Sequence, residues 1–396
     1  MGRAARIVSS ITAVHFRRFG FTSRSNVLAA ALAGVVVTGL VSVILGQDRN
    51  WDLMNYHYYA AYAYLNDRLG VDLAPVGLQS YFPPLLDVPY YWLSTRLPPV
   101  LLSFLMGAWQ GLCFILLSGI AWISLADDDR RTARAPFLGL AGMLSAVFLS
   151  ELGSSMGDNS TAPFVLGAVL LALWPQERPR ELTFRFLTCG ACMGLAVGLK
   201  LTNAFYAIAL AVAILAGQGS WMRRMSRLSM VTISAIGVFA LLTGQWFHQM
   251  WVTFGNPLLP QFNAWFKSPL AGDTMVADTR WLPKGAVEWL TWPLQLTLQP
   301  QRGGEVGLLQ ISWPLLYVLA AFWVIKSLRA REQLVARTSS EVHHGQLLTF
   351  VGVAFVLWLA MFSIHRYLAV AEMLGPIPVC IVIHRICAAE PAPAFA

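Results

Sequence analysis

Charge is what this chain has least of. Lys, Arg, Asp and Glu together supply 12% of its 396 residues, about half the share usual in a soluble domain, which excludes an ordinary water-soluble globule. Long basic tracts are also missing. Although the net charge is +8, no Lys/Arg run is interleaved with base-stacking aromatics, so nucleic acid is not an expected partner. The five cysteines (Cys113, Cys189, Cys192, Cys380, Cys387) lie in or beside apolar segments and do not form a disulfide framework. Cys189 and Cys192 make a CxxC without a neighbouring His or acid, which reads as one turn of small packing residues. There is no HExxH, no G-x-S-x-G and no Cys/His zinc spacing, and no Gly-Lys-Ser/Thr follows Gly303-Gly304. Internal repeats and low-complexity tracts are absent too, apart from a short Pro/Ala tail.

What is present is apolar length. Hydrophobic residues make up 57% of the chain, in continuous rather than alternating runs, which selects membrane helices over a barrel. The runs predict an all-α, polytopic integral membrane bundle of about ten transmembrane helices: 27–46, 98–125, 135–151, 159–175, 186–199, 203–217, 228–246, 308–326, 347–364 and 369–387. The first follows a basic N-terminus and lacks a cleavage site, so it reads as an uncleaved span. The whole of 1–396 reads as one transmembrane catalytic domain, with a first outer loop at 47–97 and a second at 247–307.

Charge orients the bundle. Basic residues cluster at Arg3, Arg6, Arg17, Arg18 and Arg24, at Arg130, Arg131 and Arg134, at Arg178, Arg180 and Arg185, at Arg223, Arg224 and Arg227, at Lys326, Arg329, Arg331 and Arg337, and at Arg385. By the positive-inside rule these are cytoplasmic, the N-terminus included. This orientation requires a hairpin turn at Lys200-Leu201-Thr202-Asn203. It places both long loops outside, with a helix expected in 53–69 and interfacial segments in 85–97 and 285–300. The bacterial inner membrane is the expected location, with the endoplasmic reticulum as the alternative.

Ionisable residues where spans meet water are the candidates for chemistry. Asp52 follows the first span, in Trp51-Asp52-Leu53-Met54-Asn55-Tyr56-His57-Tyr58-Tyr59. If 53–69 is helical, Asp52, Asn55, Tyr56, Tyr59, Ala63 and Asn66 share one face. We read Asp52 as a catalytic base; a plainer reading makes it the N-cap of that helix and the tyrosines an interfacial belt. The Gly-rich loop from Glu151 to Ser160 is a second acidic patch, with Glu151 and Asp158 facing a polar cavity or, for Asp158, capping a helix. Lys200 and Asn203 occupy the outer turn, where Lys200 either snorkels or binds phosphate. His365-Arg366-Tyr367 precedes the last span, and Glu372 shares a face with His365. Arg366 suits bidentate phosphate contact, or else a local ion pair. His248, Asn256, Arg280 and Lys284 of the second outer loop are candidates to line a substrate path.

An acid just after the first span, a long outer loop with amphipathic helices, the run Gly255-Asn256-Pro257-Leu258-Leu259-Pro260 and an Arg-Tyr pair opening the last span resemble the GT-C superfamily. These membrane glycosyltransferases use lipid-phosphate-linked sugars and include protein mannosyltransferase-like and arabinosyltransferase-like branches. The resemblance covers the layout and four short patches. It implies Asp52 as the catalytic acid after span one. Many members pair acids in that loop, whereas Asp52 is flanked by Trp51 and Leu53, so Asp158 or Glu151 is left to supply the second. It further implies a polyprenyl-phosphate-linked sugar as donor, a glycan, lipid or protein as acceptor, the bilayer as surroundings, an extracytoplasmic active site, and Mg or Mn as a candidate cofactor. The rival readings are a transporter or flippase, a ligase or polymerase of lipid-linked glycans, and a structural membrane protein.

Overall fold

The computed structural model describes residues 21–175, 179–272, 278–304, 307–330 and 339–388. Arg3, Arg6, Arg17, Arg18, Arg178, Arg331, Arg337 and the Pro/Ala tail lie outside the described residues. Every apolar run becomes helix. In chain order these are α1 (Arg24–Leu45), α2 (Tyr58–Leu65, entered through a π-helical turn at Leu53–His57), α3 (Asp87–Ser94), α4 (Pro99–Gln110) and α5 (Leu112–Ser124). There follow α6 (Arg131–Met143), α7 (Ala146–Ser150), α8 (Asp158–Leu173), α9 (Pro179–Leu199), α10 (Ala204–Leu215) and α11 (Trp221–Phe254). The last are α12 (Ala286–Leu298), α13 (Ser312–Ala330), α14 (Ser339–Met361), α15 (Ala369–Leu374) and α16 (Pro376–Ala388). A four-residue extended segment, Pro75–Leu78, lies in the first outer loop.

Not every apolar run becomes a single helix of full spanning length among the described residues. Five described helices are long and apolar enough to span, and a sixth forms if the pair His365–Leu374 and Pro376–Cys387, bent by 48°, is one span. Asp158–Leu173, Leu201–Leu215 and Ser312–Leu328 are shorter apolar helices. The 135–151 run is broken between α6 and α7. A 16-residue helix such as α8 rises only about 24 Å, against a hydrocarbon core of about 30 Å. The missing length is filled by loops and turns that carry polar residues, which is why the candidate site collects at helix ends.

Helix directions follow from the packing. On α9, Gly190 faces Val231, Gly194 faces Ala235 and Gly198 faces Leu242 of α11, so the two helices run parallel. Small residues every four positions let the backbones approach, as membrane helices do where hydrophobic burial cannot drive association. Because α9 and α11 point the same way, α10 between them runs back, and the turn at Lys200–Asn203 is a hairpin as the charge pattern required. The α1 helix lies against α4, with Thr38 Oγ1 donating to the Gly107 carbonyl at 2.8 Å and Ser42 Oγ to that of Ser103 at 2.7 Å. Its other face exposes Leu28, Leu32, Val36, Leu40 and Ile44, which costs little where lipid is the solvent. The main core includes Phe148, Tyr206, Trp292, Phe350 and Trp358. A smaller core joins the two outer loops: Leu69 and Tyr81 pack with Trp246, Met250, Phe254 and Leu259.

Candidate active site

The chain leaving α1 is pinned before it turns. The Asp48 carboxylate accepts from the backbone of Asn50 at 3.0 Å and from that of Ser155 at 2.7 Å, tying the first outer loop to the 151–157 loop. Asn50 Oδ1 accepts from Leu53 N at 2.7 Å and so caps the helix that starts at Trp51. Asp52 makes no side-chain cap bond; the plainer reading of it as the N-cap is therefore wrong, and its carboxylate is free to face the site. There Asp52 Oδ2 stands 3.2 Å from Arg366 Nη1, with the two side chains 14% and 27% exposed.

The π-turn breaks the predicted stripe. At Leu53–His57 the backbone bonds skip five residues, with Tyr58 N donating to Leu53 O, so side chains beyond it leave the face set by 3.6 residues per turn. Tyr56 remains with Asp52, hydrogen-bonded to it, and burial first and that carboxylate second push its phenol well above the usual range. Asn55 instead donates to its own helix at Trp51 O, 2.7 Å away. Tyr59 donates to Asp72 at 2.6 Å, in a group completed by Arg68, whose Nη2 lies 2.7 Å from Asp72 Oδ1.

The 151–157 loop supplies the next wall. Gln110, fully buried, holds it by accepting from Gly153 N at 2.8 Å and donating to Ser154 O at 3.2 Å. Gly153 and Gly157 take φ of +81° and +92°, values an L side chain rarely adopts. A Cβ on Gly157 would also meet Leu86 at 2.5 Å. Asp158 then opens α8, and its Oδ2 lies 2.7 Å from Lys200 Nζ. Lys200 donates to the Met156 carbonyl as well, at 2.8 Å, and lies 5.2 Å from the centroid of the Tyr367 ring. Met156 joins the two cations, since its sulfur accepts from Arg366 Nη1 at 2.9 Å. Glu151 is 5% exposed, and burial followed by the charge of Asp158 raises its carboxyl well above the usual carboxylate range. Asn203 is a structural tie, donating to Thr161 Oγ1 at 3.0 Å and to Ala196 O at 2.9 Å.

Arg366 is held from behind. His365 Nε2 lies 2.6 Å from Glu372 Oε2, both side chains are buried, and the other carboxylate oxygen accepts from Val147 N at 3.0 Å. The Tyr206 hydroxyl donates to the Tyr367 carbonyl at 3.0 Å, and Trp358 Nε1 to that of Ile364 at 2.7 Å. His365 and Glu372 thus meet as their spacing suggested, but as a buried clasp that fixes the turn presenting Arg366.

The patches around 52, 158, 200 and 366 therefore converge at one end of the bundle, while Asn55, Tyr59 and Asn203 are engaged elsewhere. Sequence reasoning missed His57 and Asp87. His57 Nδ1 stands 2.8 Å from Asp87 Oδ1, with side-chain exposures of 13% and 9%. Burial raises the Asp87 carboxyl against the pull of His57, and Asp87 senses the charges of Lys200 and Asp52. A second acid in the first outer loop was the available signal. In the second loop, Asn256 is fully buried and holds its own turn, donating to Asn263 Oδ1 at 3.1 Å.

The donors do not fit a resident divalent ion. Asp52, Asp158 and Asp87 each face Arg366, Lys200 or His57, and no three of His, Cys, Asp and Glu gather as a ligand set among the described residues.

No family model matches the chain, and no curated protein matches it. Among solved structures, it is similar to ArnT from Cupriavidus metallidurans bound to undecaprenyl phosphate, with a TM-score of 0.52 and 17% identity over 94% of this chain. It spans 61% of the length of that protein. The apo state of the same ArnT aligns with a TM-score of 0.42 and 14% identity, over 90% of this chain and 76% of that one. ArnT is a GT-C glycosyltransferase, and the chain described here has the GT-C membrane fold.

Proposed function

We propose that this protein is a GT-C-type glycosyltransferase that moves a sugar, hexosyl or pentosyl, from a polyprenyl-phosphate donor to a hydroxyl of a glycan, lipid or protein acceptor. One observation carries the reading: Asp52, relieved of capping by Asn50, stands 3.2 Å from Arg366 at the polar end of a membrane bundle. An acid and a cation side by side, both reachable from solvent, are what transfer from a lipid phosphate needs. The undecaprenyl phosphate bound to the similar ArnT structure supports that donor class.

The chemistry balances with few groups. The acceptor oxygen attacks the anomeric carbon as the bond from that carbon to the phosphate oxygen breaks, and its proton passes to Asp52. The bond electrons leave with the polyprenyl phosphate, whose added charge falls on Arg366 and Lys200. Hydrogen bonds from Arg366 to described residues use Nη1 alone, which leaves Nε and Nη2 for phosphate oxygens. A single carboxylate acting as base, with no nucleophilic carboxylate opposite, gives one displacement and inversion. The clusters Arg130–Arg134 and Arg223–Arg227 lie at the other end of the helices, which by the positive-inside rule supports a site on the extracytoplasmic face of a bacterial inner membrane.

The test incubates purified protein with radiolabelled polyprenyl-phosphate hexose and pentose donors and a cell-envelope acceptor fraction. Label transferred to the acceptor with release of polyprenyl phosphate is the expected result. Movement of the intact donor across vesicles without transfer would replace the enzyme with a flippase.

A further inference from the structure

The first outer loop holds a buried acid–imidazole pair that the proposed transfer leaves unused. His57 closes the π-turn, and Asp87 opens α3. The Asp87 carboxylate is the polar tether of the His57 ring, 2.8 Å from its Nδ1; Nε2 has no hydrogen-bond partner among the described residues. The π-turn explains why the pair lies near Asp52. In an α-helix, residues five apart point about 140° away from each other. A π-turn closes five residues into one ring instead, which draws His57 toward the face that carries Asp52.

Contacts then run from the pair to the base. The rings of His57 and Tyr56 lie 4.4 Å apart, centroid to centroid, at 35°. Phe82 meets the Tyr56 ring edge-on at 6.0 Å. Tyr56 is 8% exposed and hydrogen-bonded to Asp52. Its raised phenol keeps the proton, so Tyr56 donates and the carboxylate accepts.

On its other side Asp87 is anchored to the wall that carries the second cation. Its neighbour Leu86 packs so closely there that a Cβ on Gly157 would meet Leu86 Cδ2 at 2.5 Å and Lys200 Nζ at 3.6 Å. Burial raises the Asp87 carboxyl, His57 and Lys200 lower it, and Asp52 raises it, so the acid feels both halves of the site. A buried carboxylate is costly without a partner, and here the partner is the ring against which Tyr56 rests. A misplacement of about 1 Å at a reacting group can cost about 10²-fold in rate, so whatever aims the base must itself be held.

We propose that His57 and Asp87 are positioning residues: Asp87 fixes the His57 ring, the ring fixes Tyr56, and Tyr56 aims the Asp52 carboxylate. Their effect on turnover rests on the sugar-transfer reading, whereas the coupling between the residues does not.

Full-length protein in detergent micelles gives two separate readouts. Chemical denaturation needs no donor. Asp87→Asn combined with Tyr56→Phe should lower the denaturation midpoint by less than the sum of the two single shifts; additive shifts overturn the proposal, whether or not the protein transfers sugar. In the polyprenyl-phosphate transfer assay, His57→Gln should lower kcat by about tenfold to a hundredfold and leave KM for the donor unchanged. In a Tyr56→Phe background the same change should cost little more, because the route to Asp52 is already cut. A wild-type kcat in His57→Gln, an equal fold-loss in both backgrounds, or a rise in KM alone overturns the proposal. No transfer by the wild type removes the sugar-transfer reading, and the denaturation cycle then decides the pair by itself.

Discussion

The two ends of this bundle hold their buried cations through different neighbours. At one end Arg366 and Lys200 each face a carboxylate, at 3.2 Å and 2.7 Å. At the other, Arg185 and Arg227 lie against the same Phe186 ring, and each donates to backbone carbonyls. Cations already matched by acids hold a shape together and exchange partners during a reaction. Cations set against a ring face and backbone carbonyls tie helix ends together. The same residue type thus serves a site built around carboxylates and a helix end bound through carbonyls and a ring face.

Removing counter-charge at the matched end is the harshest way to break this contrast. Asp158→Asn leaves Lys200 in a largely closed environment, where losing one partner of a buried pair costs about 3–5 kcal/mol. Chemical denaturation should show that loss, and Asp158→Asn with Lys200→Met should cost less than the two single changes added. Arg366→Gln keeps the turn, because the His365–Glu372 clasp is untouched, but removes the proposed hydrogen-bond donor to phosphate. A drop of about 10²–10³-fold in kcat is expected, with Arg366→Lys intermediate; an unchanged kcat would strip Arg366 of its role.

The smallest effect sharpens the comparison from within the site. Glu151 has its carboxyl raised by burial and by Asp158, so in the pH range above its unfolded value the folded state holds more protons than the unfolded one. Stability therefore falls as pH rises through that range. Glu151→Gln cannot ionise and should flatten the dependence between pH 5 and pH 8. A mutant curve as steep as the wild type would place the titrating group elsewhere.

Much of this was legible in the sequence because membranes make it so. An acid such as Asp52 next to a 22-residue apolar helix stands out against a background with almost no charge. Arginine clusters fixed the helix directions well enough to demand the hairpin at Lys200, which the parallel packing of α9 and α11 shows. Less was legible where local spacing and tertiary contact compete. Regular helix periodicity put Asn55 and Tyr59 beside Asp52, but a π-turn leaves no mark in apolar spacing. Asn50, not Asp52, took the cap, a choice settled by Asp48 and Ser155 across 107 residues. His57 finds Asp87 only once the first outer loop folds back on itself. The count of about ten spans is not confirmed, because an apolar run shows where a helix forms, not whether that helix is long enough to cross.

The proposed sugar transfer rests on the carboxylate of Asp52. Asp52→Asn preserves its size and a hydrogen-bonding oxygen near Arg366 while removing the base. In the polyprenyl-phosphate sugar-transfer assay, a variant with wild-type unfolding temperature should lose about 10²–10⁴-fold in kcat. A folded Asp52→Asn protein that turns over at the wild-type rate would contradict it.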